Sequence, residues 1–107
     1  MYVYKRSGTS WGDVAYIDNP SNQTNSYFGQ KGIAMAGDYL AAGSTNISVD
    51  GIVEAGAVYV FKKETTGSTT TWTLKASLSA SDKSANAHFG SSMRMTTDTL
   101  VIGAQSV

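Results

Sequence analysis

The sequence predicts an all-β protein built from a repeated unit of four short antiparallel strands, and three observations support this. Short runs rich in β-branched and aromatic residues, Tyr2 to Lys5, Tyr39 to Ala42, Ala57 to Phe61 and Thr99 to Ile102, are bounded by Gly, Ser, Asn and Asp, with no convincing helix anywhere. These runs recur. Phe28-Gly29 returns as Phe89-Gly90 and Trp11 returns as Trp72, each 61 positions on, while Asp38 returns as Asp98 after 60 and Tyr2 as Tyr59 after 57. Several runs are also apolar at every position, which is what a strand shows when both its faces are covered. A fixed period of this size, made of four short strands, marks propeller blades sandwiched between their neighbours.

Taken in order, one complete unit runs from Phe28-Gly29 through Gly37-Asp38-Tyr39-Leu40 and Gly56-Ala57-Val58-Tyr59-Val60-Phe61 to Trp72-Thr73-Leu74. Its second half is anticipated by Tyr2-Val3-Tyr4-Lys5-Arg6 and Trp11. Its first half recurs from Phe89-Gly90 to Leu100-Val101-Ile102-Gly103. Ile33 to Ala36 and Met93 to Thr96 read as innermost strands, with Gly37-Asp38 and Thr97-Asp98 as tight turns out of them. The connections are polar: Asp18 to Ser26 holds the only proline, Pro20, and Ser44 to Ala55 has few large apolar groups. Glu64 to Thr71, rich in Thr and Ser, reads as a mobile hairpin loop that tolerates substitution.

Phe-Gly, then Gly-Asp-x-Leu, then Gly-Ala-Val-Tyr-Val-Phe and a Trp before an apolar strand resemble the FG-GAP repeat of integrin α-subunit β-propellers and their bacterial relatives. The resemblance covers nearly the whole chain. It implies an inner strand after Phe-Gly, a second at Leu-x-x-Gly, a third at Val-Tyr-Val-Phe and an outer strand from Trp onward. On that frame residues 30–79 are one whole blade, residues 2–17 the outer two strands of a preceding blade, and residues 91–103 the inner two of a following one. The resemblance also implies an extracellular or cell-surface setting. The chain starts without an apolar signal region, and no apolar run approaches the ~18 residues of a membrane span.

Eight basic and eight acidic residues among 107 leave a formal net charge of zero, so nothing favours nucleic acid or an anionic membrane as partner. The absence of cysteine removes disulfides and thiol chemistry. No Gly-x-Ser-x-Gly turn is present, and the one histidine, His88, stands where the other repeat has Tyr27, which favours a packing or turn role over catalysis. No catalytic residue and no cofactor is therefore expected.

One loop invites a metal. From Asn46 to Glu54, oxygen-bearing side chains alternate ahead of Gly51 and an acid stands at the ninth position, imitating a calcium-wrapping loop; relatives of the resembled family carry such a loop between second and third strands. Asn46, Ser48, Asp50 and Glu54 are the candidate ligands for Ca²⁺. With only two carboxylates the expectation is weak binding or none, and the alternative is a polar turn at Gly51. Trp11 and Trp72 occupy the same place in two copies, as do Phe28-Gly29 and Phe89-Gly90, so packing between blades explains them better than ligand stacking. Asn22-Gln23-Thr24 and Asn46-Ile47-Ser48 match the glycosylation acceptor pattern.

The function expected is that of a non-enzymatic propeller module, a scaffold or adhesion platform whose loops meet a protein or glycan ligand. The alternative is a fragment of a larger secreted FG-GAP-containing enzyme or integrin-like adhesion protein. Roughly four or more blades make a propeller, so about two per chain lead to a further expectation: head-to-tail assembly with itself, as a trimer or a tetramer.

Overall fold

The computed structural model describes residues 1–105, apart from the side chains of Asp13 and Val14. Eight strands follow one another with no helix among the described residues: β1 (Tyr2–Ser7), β2 (Ser10–Tyr16), β3 (Phe28–Ala36), β4 (Tyr39–Ser44), β5 (Ala57–Thr66), β6 (Thr69–Leu78), β7 (Phe89–Met95) and β8 (Leu100–Ala104). They form a two-stranded sheet β1-β2, a four-stranded sheet β3-β4-β5-β6 and a two-stranded sheet β7-β8. All pairings are antiparallel between sequence neighbours.

The turns explain this simple order. Gly8, Gly37 and Gly67 each open a two-residue hairpin with φ of 64°, 56° and 61°. A positive φ at the first central residue matches the right-handed twist of the flanking strands, and glycine adopts it without strain. The β7-β8 turn has Thr97 instead of glycine. There Asp98 Oδ1 accepts hydrogen bonds from the Thr96 and Thr99 hydroxyls, both 3.1 Å, and the Thr96 N–H donates to the Thr99 carbonyl at 2.8 Å.

Two expectations need correction. Glu64 to Thr71 is not an open loop: Glu64 pairs with Thr71, Thr65 with Thr70 and Thr66 with Thr69, so only Gly67 and Ser68 turn the chain. The threonines that suggested a flexible connection are β-branched and extend the ladder instead. Trp11 and Trp72 stand inside β2 and β6, opposite Arg6 and Lys63, and do not precede the strand.

The repeat is geometric as well as textual. The β1-β2 ladder slips between Val3 and Tyr4 and the β5-β6 ladder at the equivalent Val60 and Phe61. Sheets stack on one another in the same sense. Leu40, Tyr59 and Phe61 of the middle sheet meet Ile17, with Met1, Val3, Phe28 and Trp72 packed around them. The Phe28 ring stands edge-on to both Tyr59 and Phe61 with centroids 6.2 Å apart, the arrangement favoured by aromatic quadrupoles.

Glycines make the second stacking contact. The Gly90 backbone lies against Gly43 Cα, the Ala57 carbonyl and Val58, all within 3.1 Å of where a Gly90 side chain would begin, while Gly32, Gly43 and Gly56 leave no room for a Cβ against Gly90, His88 and Phe89. Gly29, the earlier copy of Gly90, touches Met1 in the same way that Gly90 touches Val58. Inner strands can approach this closely only where neither carries a side chain.

Candidate functional site

One end of the stacked sheets gathers the polar loops. Asn25 and Tyr27 precede the first Phe-Gly with φ of 55° and 61°, and Asn86 and His88 precede the second with 62° and 56°. Asparagine accepts the left-handed region readily, whereas a ring-bearing residue must be held there by its surroundings. Here the hold is visible. The carbonyls of Tyr27 and His88 accept from Gln30 and Ser91 at 3.1 Å, and the Asn86, His88 and Phe89 N–H groups donate to the Val53, Glu54 and Ala55 carbonyls.

The connection between β4 and β5 is the other half of this end. Ile47 is buried and anchors it. Val49 and Ile52 exchange two backbone hydrogen bonds of 3.1 and 2.9 Å, and Asp50 and Gly51 turn between them with φ of 53° and 78°. Two successive positive φ values are the Asp-Gly hairpin geometry.

The four candidate metal ligands have four different partners. Asn46 Oδ1 accepts from the Thr45 hydroxyl at 3.0 Å, the Ser48 backbone is clasped from both sides by the Gln23 amide at 2.9 and 3.0 Å, Asp50 faces Lys83 Nζ at 3.5 Å, and Glu54 Oε1 lies 2.8 Å from His88 Nε2. Asn46 and Glu54 line one cavity, Ser48 and Asp50 another. Among the described residues no three His, Asp or Glu side chains stand close enough together to hold a metal ion.

The Asn46 cavity is lined by residues with polar side chains and lies where the two repeats meet. Tyr27 and Lys31 contribute from the first Phe-Gly turn and β3, Thr45, Asn46 and Glu54 from the β4-β5 connection, and His88 and Gln105 from the following repeat, around about 220 Å³. Glu54 fixes the imidazole, and Lys31 also lines the space. Such an arrangement can hold a small polar group by hydrogen bonds and charge. Among the described residues the hydrogen-bond partner of the His88 ring is Glu54.

Sequence reasoning missed both side-chain pairs, Asp50 with Lys83 and Glu54 with His88. Glu54 and His88 are 34 positions apart, and only the stacking of one repeat on the next joins them. The available signal was an acidic loop followed, one repeat later, by Lys83 and His88 where the earlier copy has Asn22 and Tyr27.

The aromatic pairs follow their repeat positions only in part. Phe28 and Trp72 pack on the core. Phe89 is half-buried behind Gly90, and Trp11, the copy of Trp72, is 67 % exposed. Trp72 Nε1 is buried without a hydrogen-bond partner among the described residues.

Residues 72–106 match the family model described as FG-GAP repeat. The match starts at Trp72 in β6 and runs through β7 and β8, so the stretch similar to an FG-GAP repeat spans the junction between two sheets. No curated protein and no solved structure matches the chain. FG-GAP repeats are typical of extracellular proteins, and no helix among the described residues is long and apolar enough to cross a membrane.

Proposed function

We propose that this chain is a non-catalytic β-propeller-type repeat module that associates with itself head to tail and presents the loops at one end of its sheets as an adhesion or ligand platform at the cell exterior. The observation that carries the reading is the same-sense stacking of successive sheets, with Gly32, Gly43 and Gly56 against the Gly90 turn. Stacking of this kind has no natural stop: each sheet buries one face on its neighbour and offers the other.

Both flanks of the stack have such faces to offer. Tyr2, Tyr4 and Trp11 on one, and Val101 on the other, are more than half exposed. Apolar surface of this extent on a small protein marks an interaction site. The cavity lined by Tyr27, Lys31, Asn46, Glu54 and His88 is the natural platform for a protein or glycan group, because loops on a rigid sheet scaffold are where binding residues collect.

Size-exclusion chromatography with light scattering tests the assembly. A discrete trimer or tetramer supports it, and a well-folded monomer overturns it. The absence of catalysis is tested by screening esterase, phosphatase and glycosidase substrates. Turnover abolished by His88→Ala would overturn that part.

A further inference from the structure

Beside Trp72 we infer a binding site for a carboxylate carried on a small apolar body, at the end of the sheets opposite the Asn46 cavity. The site does not rest on self-association. A cavity of about 310 Å³ opens there between β1 and the β5-β6 hairpin, the size of a small-molecule site. Lys5, Lys63, Thr65, Thr70 and Trp72 line it, and each of these side chains carries a hydrogen-bond donor. No Asp, Glu, Asn or Gln lines it among the described residues. An ammonium or an indole N–H can only donate, so such a lining asks for an acceptor.

The β5-β6 ladder explains why the donors gather. Lys63 stands opposite Trp72 and Thr65 opposite Thr70, and since opposed residues share a face to which alternate residues return, all four fall on one face. The same rule sends Glu64 to the other face. There it accepts from the Thr73 hydroxyl and lies 3.8 Å from Lys75 Nζ, so the acid of this strand is kept away from the cavity. Asp38 Oδ1 lies 3.7 Å from Lys63 Nζ with both side chains partly exposed, a pair that water screens. An ammonium has three donors and can take a second carboxylate. Val3 and Trp72 pack on one core cluster, so the cavity lies between sheets that already stack within the chain.

A second observation points to the same ligand. Trp72 Nε1 is buried and has no hydrogen-bond partner among the described residues, a costly state for a donor. A ligand oxygen at the indole edge would supply the acceptor. Val3, Tyr4 and Met35 complete the lining with apolar surface. A bare phosphate or sulfate would set its hydration against that surface, whereas an acid with an apolar body covers it. Two sources carry this chemistry: a free organic acid and the C-terminal residue of a peptide.

The chain has two tryptophans, and their indole N–H resonances in nitrogen–proton correlation spectra read the site directly. Trp11→Phe assigns the Trp72 signal. Titration with phenylacetate is expected to move the Trp72 resonance and not that of Trp11, and phenylacetamide, of the same shape without the charge, is expected to bind at least ~10-fold more weakly, the effect of losing a charge-assisted hydrogen bond. Lys63→Met is expected to keep the far-ultraviolet circular dichroism of the wild type and to weaken phenylacetate by about tenfold. Asp38→Asn, which breaks the same ion pair, is expected to leave binding intact or to tighten it.

N-acetylphenylalanine, which carries the peptide bond of a chain end, separates the two sources. Tighter binding than phenylacetate assigns a peptide and weaker binding a free acid, and either supports the site. A Trp72 resonance that stays still with phenylacetate, or that moves as readily with phenylacetamide, overturns it. Weakening in Asp38→Asn as large as in Lys63→Met assigns the loss to the broken ion pair and overturns the role of Lys63. Sulfate binding as tightly as phenylacetate overturns the apolar part.

Discussion

Replacing Gly56 by alanine probes the junction between repeats most directly. Gly56 has φ +86°, and a methyl group there would overlap the backbone N and O of Phe89 and come within 3.0 Å of the His88 carbonyl carbon. Two costs add. An L-residue forced to positive φ loses about 1–2 kcal/mol, and overpacking against backbone atoms that cannot rotate away costs about 1–3 kcal/mol more. The expected loss is therefore about 2–5 kcal/mol.

Two other glycines separate these terms. Gly51 has φ +78° and nothing within 4 Å of its would-be Cβ, so Gly51→Ala carries only the conformational cost, about 1–2 kcal/mol. Gly12 also faces open space and is not in the left-handed region, so Gly12→Ala is expected to lie within about 0.5 kcal/mol of wild type. Urea unfolding followed by circular dichroism, with the slopes checked for equality, ranks the three. If Gly56→Ala costs no more than Gly51→Ala, the close approach of the Phe89 backbone to the β4-β5 connection is refuted, and the stacking argument goes with it.

Other outcomes follow from the same packing. Phe28→Ala is expected to cost about 3 kcal/mol, the low end for a phenylalanine truncation because the ring is only partly buried, and more than Phe89→Ala in the same melts. A double-mutant cycle on Glu54→Gln and His88→Ala is expected to return a coupling of about 0.5–1 kcal/mol, since both side chains are partly exposed. A coupling of zero would sever the link between the loop and the Phe-Gly turn. Burial pushes the Tyr59 hydroxyl above the ordinary tyrosine range, outweighing its hydrogen bond with Ser21. Because the folded value is the higher one, the stabilisation is complete below the unfolded value and is lost as pH rises through the folded one. Spectrophotometric titration is thus expected to show one of the six tyrosines ionising late and with unfolding. Tyr59→Phe should remove that phase.

How much of this was legible depends on the range over which each feature is set. Strand runs such as Tyr39 to Ala42 and Ala57 to Phe61, and the two-residue turn at Gly37-Asp38, depend on neighbours in sequence and could be read directly. The Asn46 to Glu54 loop could be read as a turn at Gly51, but not as a divided set of partners. Asp50 and Glu54 meet Lys83 and His88 only because the next repeat stacks on this one.

The sequence by itself determined the β architecture, the repeat and the places of Phe28, Phe89, Trp11 and Trp72 within it, because strand propensity and glycine turns act over a few residues. Tertiary structure alone decided which copy of each aromatic is covered. Trp72 and Trp11 occupy equivalent ladder positions, yet one packs on a core and the other stands in solvent. Burial belongs to a pair of surfaces and not to a residue. Whether a face is covered is settled by the sheet beside it, and that neighbour lies in another repeat, beyond the reach of any local pattern.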